Sequence, residues 1–487
     1  MKKIFGKLAV LLLMAIMCLS ACLFVSCGRE EEMVETPFKE YSVNVENVLP
    51  LGEVTVNSKG AKEGGTLYEF AVTPKVGYAV KSFKISGTEF GLTDNKFECV
   101  LMQDVTVTVD YCRKNSEELT RRQDMVIDKI SQYVDTYFKY DKDYKYVLYG
   151  ADITLKAGVL HGGLPYTYYS SISPDVFLDF AVSHDNNGVY TLSFPMGYDP
   201  YYWGGSCGNA AYWAWATVSS TIRFSYSANM TEKNGVYTVG IFTYDPEKDI
   251  NGDTWQDTAA ICKANGMDVM FESYAMMNRA DEMQYMNSEL GNHVIVVTEV
   301  NVVRDENGKI SPTRSYILYS DQHGGFHERP SKDGKTVYSS CEYNSKKTFV
   351  DLYEAAYLPM TCIELLDDST PLATAEFTES LEASKLNKMN VLRGYVETNY
   401  AITKVTMVIT DENGNQLFNG TRHSSETSPV RFAYSKFATT DGDLDQTNVY
   451  DKKLDLNELP VGKLHCVVTA YVSTGDSSVV RDFVFEN

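Results

Sequence analysis

Residues 203–216 read WGGSCGNAAYWAWA, which sets Cys207 between a pair of glycines and a run of alanines and aromatics. Beyond Gly208 the run has no Pro or Gly and is apolar nearly all round, which predicts a buried helix with Cys207 at its N-terminus. There the helix dipole and unpaired N–H groups favour an anion, lower a thiol pKa and can hold a developing oxyanion. Gly204, Gly205 and Gly208 permit a close backbone approach around the sulfur. Cysteine is also often a small, inert core residue, so the thiol needs a base nearby before it counts as a nucleophile.

Five histidines are candidates for that base: His161, His184, His293, His323 and His327. His293 heads GNHVIVVTEVNVV (291–303), a β-branched run that predicts a central strand. A rigid strand can hold an imidazole against a helix N-terminus. The next predicted strand is SYILYS (315–320), reached through the turn RDENGK (304–309) and ending at Asp321 and Gln322. In an antiparallel pair the end of the second strand lies beside the start of the first. Asp321 or Gln322 is therefore the expected orienting group for His293. Successive strand residues point to opposite faces, so only one of them can serve, and Asp321 is preferred because a carboxylate stabilises an imidazolium. DQHGGFHERP reads as a Gly-rich loop; its His323 and His327 are spaced for a metal pair, but no third ligand is evident. No CxxC pair or Cys/His zinc spacing occurs, so the expectation is no metal and no cofactor.

The elements that must position these residues fall into three expected parts. Residues 41–112 alternate apolar and polar in short runs and predict a small all-β domain. SEELTRRQDMVIDKISQYVDTYFKY puts Val126, Ile127, Ile130, Val134, Tyr137 and Phe138 on one helical face, with Thr120 and Gln123 as a capping box. From there to about 366 helical and strand patterns mix, as in an α+β domain (116–366). Residues 367–384 read as a linker. Segment 375–487 alternates again, with Asn413-Gly414 in a hairpin turn, and predicts an immunoglobulin-like β-sandwich. DGDLD (441–445) spaces three aspartates like the start of a calcium loop, but Lys452 stands at the twelfth position where that loop needs Glu.

The ordered set of helix N-terminal Cys207, strand-borne His293 and polar third residue resembles the papain-like bacterial cysteine hydrolases, and within them the NlpC-type cell-wall hydrolases. GGLPYTYYSS (162–171) is similar to the family's segment ahead of the nucleophile, with Tyr166 matching the tyrosine that lines the site. The resemblance covers about 116–366. It implies a central papain-like α+β domain and acyl transfer through a thioester: Cys207 attacks, His293 shuttles the proton, and Asp321 (or Gln322) orients the ring. The Cys207 N–H, with Tyr166 as a further oxyanion or substrate contact, would hold the oxyanion. Ser206 and Gly208 stand where the family has Asp and Ser, which puts the recognition of a stem-peptide amine in doubt. Bacteriocin-processing peptidases share the Cys-Gly, His and Asp pattern. VTPKVGYAVKSFKISG (72–87) and MQDVTVTVDY (102–111) resemble an internalin-type surface repeat, which implies a spacer or adhesion role for the first domain.

Export is expected from the first residues. Lys2, Lys3 and Lys7 precede LAVLLLMAIMCLSA (8–21), an apolar stretch of secretory length. LSAC resembles a bacterial lipobox, so 1–22 is the expected lipoprotein signal peptide, Cys22 the lipidated residue and 23–40 an acidic tether. FVSC offers Cys27 as the alternative, and an uncleaved anchor over 8–26 is a third reading. The formal net charge of −21, without a basic stripe, argues against nucleic acid as a partner. Seven scattered cysteines beyond the export segment do not form a dense disulfide framework; Cys99 and Cys112, flanking a predicted hairpin, are the one pair considered. The expected protein is thus a surface hydrolase, lipid-anchored on the outer face of the membrane, acting on peptide or peptidoglycan. The competing expectation is a non-catalytic adhesin.

Overall fold

The computed structural model describes residues 39–62, 64–148, 150–167, 171–179, 181–193, 204–222, 235–245, 257–287, 291–380, 394–423, 430–437, 454 and 456–487. The signal peptide with Cys22 and Cys27, most of the tether and DGDLD lie outside them. The chain divides into two compact units. One comprises 1–44, 56–70 and 98–105; the other comprises 45–55, 71–97 and 106–487.

The first unit carries much of a three-stranded sheet in the order Gly52–Lys62, Gly65–Pro74, Lys96–Leu101. Strict alternation in TLYEFAV buries Tyr68 and Phe70 on one face.

In the second unit a ten-stranded sheet is the largest layer. Its strands, in chain order, are β1 (Tyr137–Tyr140), β2 (His161–Gly162), β3 (Ala181–His184), β4 (Tyr190–Leu192), β5 (Val236–Thr238), β6 (Glu282–Asn287), β7 (Gly291–Asn301), β8 (Tyr316–Pro330), β9 (Thr336–Thr348) and β10 (Leu358–Cys362). Across the sheet they lie in the order β3-β4-β1-β2-β9-β8-β7-β6-β10-β5. The consecutive strands β6 to β9 pair antiparallel. Val294, Ile295, Val296 and Val297 of β7 are all buried, as expected for a strand covered on both faces. Three longer helices accompany the sheet: α1 (Glu117–Asp135), α2 (Cys207–Trp215) and α3 (Thr258–Tyr274). α2 packs on β7 and β8, and α1 packs on α2 and on the β8–β9 pair.

The expected central papain-like α+β domain is corrected by this structure. Of the described residues, strands take 49% and helices 17%, in several separate sheets with few helices. The helical reading of 120–138 ran too far: α1 stops at Asp135, and Tyr137 and Phe138 begin β1. Their aromatic, alternating sequence YFKY suits a pleated sheet better than a helix face. The cap also differs. Ser116, not Thr120, is the N-cap, accepting from the Leu119 N–H, while the Thr120 hydroxyl donates to the Ser116 carbonyl. DQHGGFHERP is likewise not a loop; it continues β8 to Pro330.

The C-terminal residues form two antiparallel sheets around a core of their own. One runs Gln416–His423, Ile402–Asp411, Lys463–Val472, Ser477–Glu486; the other runs Phe377–Glu379, Tyr395–Thr398, Arg431–Ala433. Inward residues such as Val405, Met407, Ile409, Cys466, Val468 and Phe432 are buried together. All seven described cysteines, Cys99 and Cys112 included, are free thiols.

Candidate active site

The start of α2 is fixed by backbone contact. Chain 164–167 runs beside 204–205: the Gly205 N–H donates to the Pro165 carbonyl (3.2 Å), and the Thr167 N–H to the Gly205 carbonyl (2.8 Å). A Cβ on Gly204 would collide with the Pro165 carbonyl, and one on Gly205 with the Tyr133 hydroxyl. Gly208 meets no such crowding. Ser206 is the N-cap, and Asn209 Oδ1 accepts from its N–H (2.7 Å) and its hydroxyl (2.9 Å). Cys207 is therefore the first residue of the helix, where backbone N–H groups have no intrahelical acceptor. Its side chain is half-buried.

His293 stands near the start of β7. Its Nε2 lies 2.6 Å from Asp321 Oδ2. The β7–β8 register pairs Val296 with Ser320. One step further along, Asp321 comes opposite Ile295 and diagonal to His293 on the same face, within side-chain reach. The side chains of His293 and Asp321 are 17% and 4% exposed, so water competes little for the bond. Gln322 faces away: its Nε2 donates to the Leu164 carbonyl (2.7 Å), and the residue is fully buried. Tyr166 meets Gly205 through its backbone, and its N–H donates to Ser340 Oγ (3.0 Å).

The same imidazole is the side chain that most favours the charged form of the Cys207 thiol. Burial pushes the Cys207 thiol up, but the hydrogen bond and charge of His293 and the Val294 N–H outweigh it, and the net shift is downward. Burial likewise pushes His293 down, while Asp321 and Cys207 together raise it to about 10. Both shifts favour the thiolate–imidazolium pair. Every other described cysteine is shifted the opposite way by burial; Cys262, Cys341 and Cys466 rise to about 12.

His293 and Asp321 form part of the wall of a cleft of about 400 Å³, with Tyr285, Tyr319, Tyr357, His323, Glu342 and Lys347. Cys207 and Tyr166 are not among its lining residues; Cys207 belongs to α2, which packs on the His293 strand. Tyr285 pairs with His293 across β6–β7, its ring centre 6.1 Å from the imidazole, and packs edge-on against Tyr357. The sequence reading missed these tyrosines. The alternation in EMQYMN, once laid beside the His293 strand, is the signal that finds Tyr285. It also missed Glu342, which β9 brings opposite Asp321 and close to His323 and His327.

A helix-borne thiolate, an imidazolium and an orienting carboxylate can carry out nucleophilic acyl transfer. His323, His327 and Glu342 are the described residues able to hold a metal ion. No protein-family model matches this chain, and no curated protein matches it in sequence.

Proposed function

We propose that the chain is an exported, lipid-anchored cysteine hydrolase that cleaves amide bonds, in wall peptide or a neighbouring protein, through a thioester. The observation that carries this reading is a buried His293–Asp321 pair, 2.6 Å apart, on two strands against which the helix begun by Cys207 packs. The Cys207 thiolate attacks the amide carbonyl carbon, and the oxyanion forms against the Cys207 N–H. His293 gives its proton to the leaving nitrogen as the C–N bond breaks, leaving an acyl thioester. Water then attacks; His293 takes its proton, the C–S bond breaks, and a carboxylic acid leaves as the thiol is restored. Asp321 keeps the ring oriented and stabilises its cationic form. The order of Cys, His and Asp along the chain follows the NlpC-type resemblance, whose fold class is not carried over. Ser206 in place of that family's Asp argues for a substrate other than a free stem-peptide amine. Anchoring through Cys22 belongs to the same proposal and rests on the lipobox alone.

The test is site-resolved alkylation followed by digestion of isolated walls and of surface protein. Near pH 7 iodoacetamide should modify Cys207 well ahead of the exposed Cys112, and Cys207→Ala should abolish release of cleaved peptide. Alkylation of Cys207 no faster than Cys112, with no cleavage by the unmodified chain, would favour a non-catalytic binding module.

A further inference from the structure

The β8–β9 ladder breaks beside the cleft. Gln322 pairs with Cys341, yet the next pair is His327 with Ser339, so β8 spends five steps where β9 spends two. The intervening residues HGGF, three more than the partner strand has, bulge out of the ladder. In a regular strand, residues four apart lie about 13 Å from each other. Here the bulge stacks the His323 and His327 rings with centres 5.2 Å apart and planes 19° from parallel. Glu342, on β9, completes the group: its Oε1 is 3.6 Å from His323 Nε2 and 3.4 Å from His327 Nε2. These separations exceed the usual N–H···O range. They match the spacing of donors on a four-coordinate ion: ligands at about 2.0–2.1 Å in a tetrahedron lie about 3.3 Å apart.

We propose that His323, His327 and Glu342 form a binding site for a divalent transition metal of the Zn²⁺ class. Two imidazoles and one carboxylate leave a coordination position open, the pattern of a reactive or exchangeable site rather than a closed structural one. Nitrogen donors select transition metals over Ca²⁺ and Mg²⁺. Because His323 and Glu342 line the cleft that holds His293 and Asp321, the open position is available to a ligand there. One contact must change on binding. The Gly325 N–H donates to His323 Nδ1 (3.1 Å), which places the ring proton on Nε2. Metal at Nε2 moves that proton to Nδ1 and releases the Gly325 N–H, which is exposed and can turn to water. The site does not depend on the hydrolase reading, and its readout is binding.

The full-length chain with Cys207→Ser, which removes the described cysteine whose thiol is shifted toward the thiolate, is purified in detergent and titrated with Co²⁺, followed by Zn²⁺ competition and calorimetry. One equivalent of Co²⁺ with the visible absorption of tetrahedral coordination is expected, displaced by Zn²⁺ and not by Ca²⁺. His323→Ala, His327→Ala and Glu342→Gln, each made separately, should weaken binding by at least about 10–100-fold, the cost of losing a mere second-shell partner. A circular-dichroism melt for each variant separates loss of a ligand from loss of fold. Absence of Co²⁺ binding, binding that survives all three changes in folded variants, or equal affinity for Ca²⁺ would overturn the proposal.

Discussion

At the scale of single residues, the paired shifts of Cys207 and His293 set a pH window. The pair forms as pH rises through the depressed thiol value and is lost as His293 gives up its proton at about 10. The rate of hydrolysis should therefore rise below the ordinary thiol range and fall near about 10, two apparent values that belong to the coupled pair. Asp321→Asn removes the carboxylate that raises His293. It should move the upper limb to lower pH and cut kcat by about 10²–10⁴-fold, while Cys207 stays in place. Gln322→Ala is the contrast. It should leave the profile unchanged and cost about 1 kcal/mol in urea unfolding, because the Leu164 carbonyl loses its shortest donor and keeps only the longer bonds from Ser340 and Cys341. An unmoved profile in Asp321→Asn would mean that the orienting group lies elsewhere. Cys207, His293 and Asp321 could be read from the chain because each sits at the end of a strongly patterned run, where alternation and helix polarity fix its direction. Glu342 could not: its place depends on a bulge at Gly324-Gly325 that shifts register, and spacing along the sequence does not reveal a register shift.

At the scale of elements, α1 and the far end of β8 are joined by a buried ion pair. Arg329 Nη1 donates to Asp135 Oδ1 (2.9 Å), Nε donates to the Cys341 carbonyl (2.6 Å), and Nη2 donates to the Val134 carbonyl. Asp135 Oδ2 in turn accepts from the Tyr137 hydroxyl and the Lys332 N–H, both at 2.9 Å. The two side chains are 4% and 0% exposed, so removing one strands the other away from water. Arg329→Ala should cost about 3–5 kcal/mol, whereas Arg329→Met with Asp135→Leu should recover much of that loss. Urea unfolding of the three variants measures this; equal stability of Arg329→Ala and the unmodified chain would show that the pair does not brace the sheet. The network also explains why α1 was read too long. Asp135 and Tyr137 look like a helix continuing, but Asp135 turns inward to Arg329, a residue far along the chain. Periodicity within α1 carries no trace of that partner.

At the scale of the whole molecule, alternation made the C-terminal β-rich segment legible, while the centre was misread as a papain-like α+β domain. Local motifs around Cys207 and His293 do not record how many strands the intervening segments add, and those segments make the sheet ten strands wide. The C-terminal sheets reach the helix that begins with Cys207. Ser473, buried, donates from Oγ to the Ala216 carbonyl (2.6 Å) at the C-cap of α2. Nearby, Asp179 accepts from His423 and Lys404, both at 2.9 Å. Burial pushes the Asp179 carboxyl up, but those two partners pull it below its ordinary value. A depressed carboxylate contributes stability above its unfolded pKa of about 4 and loses it as pH falls through the lower folded value. Hydrogen exchange in 402–423 should accordingly quicken below about pH 4, and Asp179→Asn should remove that step. The Ser473 contact bears on catalysis as well. The last carbonyls of a helix have no intrahelical donor, so Ser473→Ala leaves a buried acceptor unpaired at the end of the helix that begins with Cys207. The expected cost is about 1–3 kcal/mol in urea unfolding, with slower alkylation of Cys207, while Ser473→Thr keeps the donor and should restore both. If Ser473→Ala unfolds within about 0.5 kcal/mol of the unmodified chain and its thiol reacts equally fast, the C-terminal sheets are not a brace for the helix that begins with Cys207.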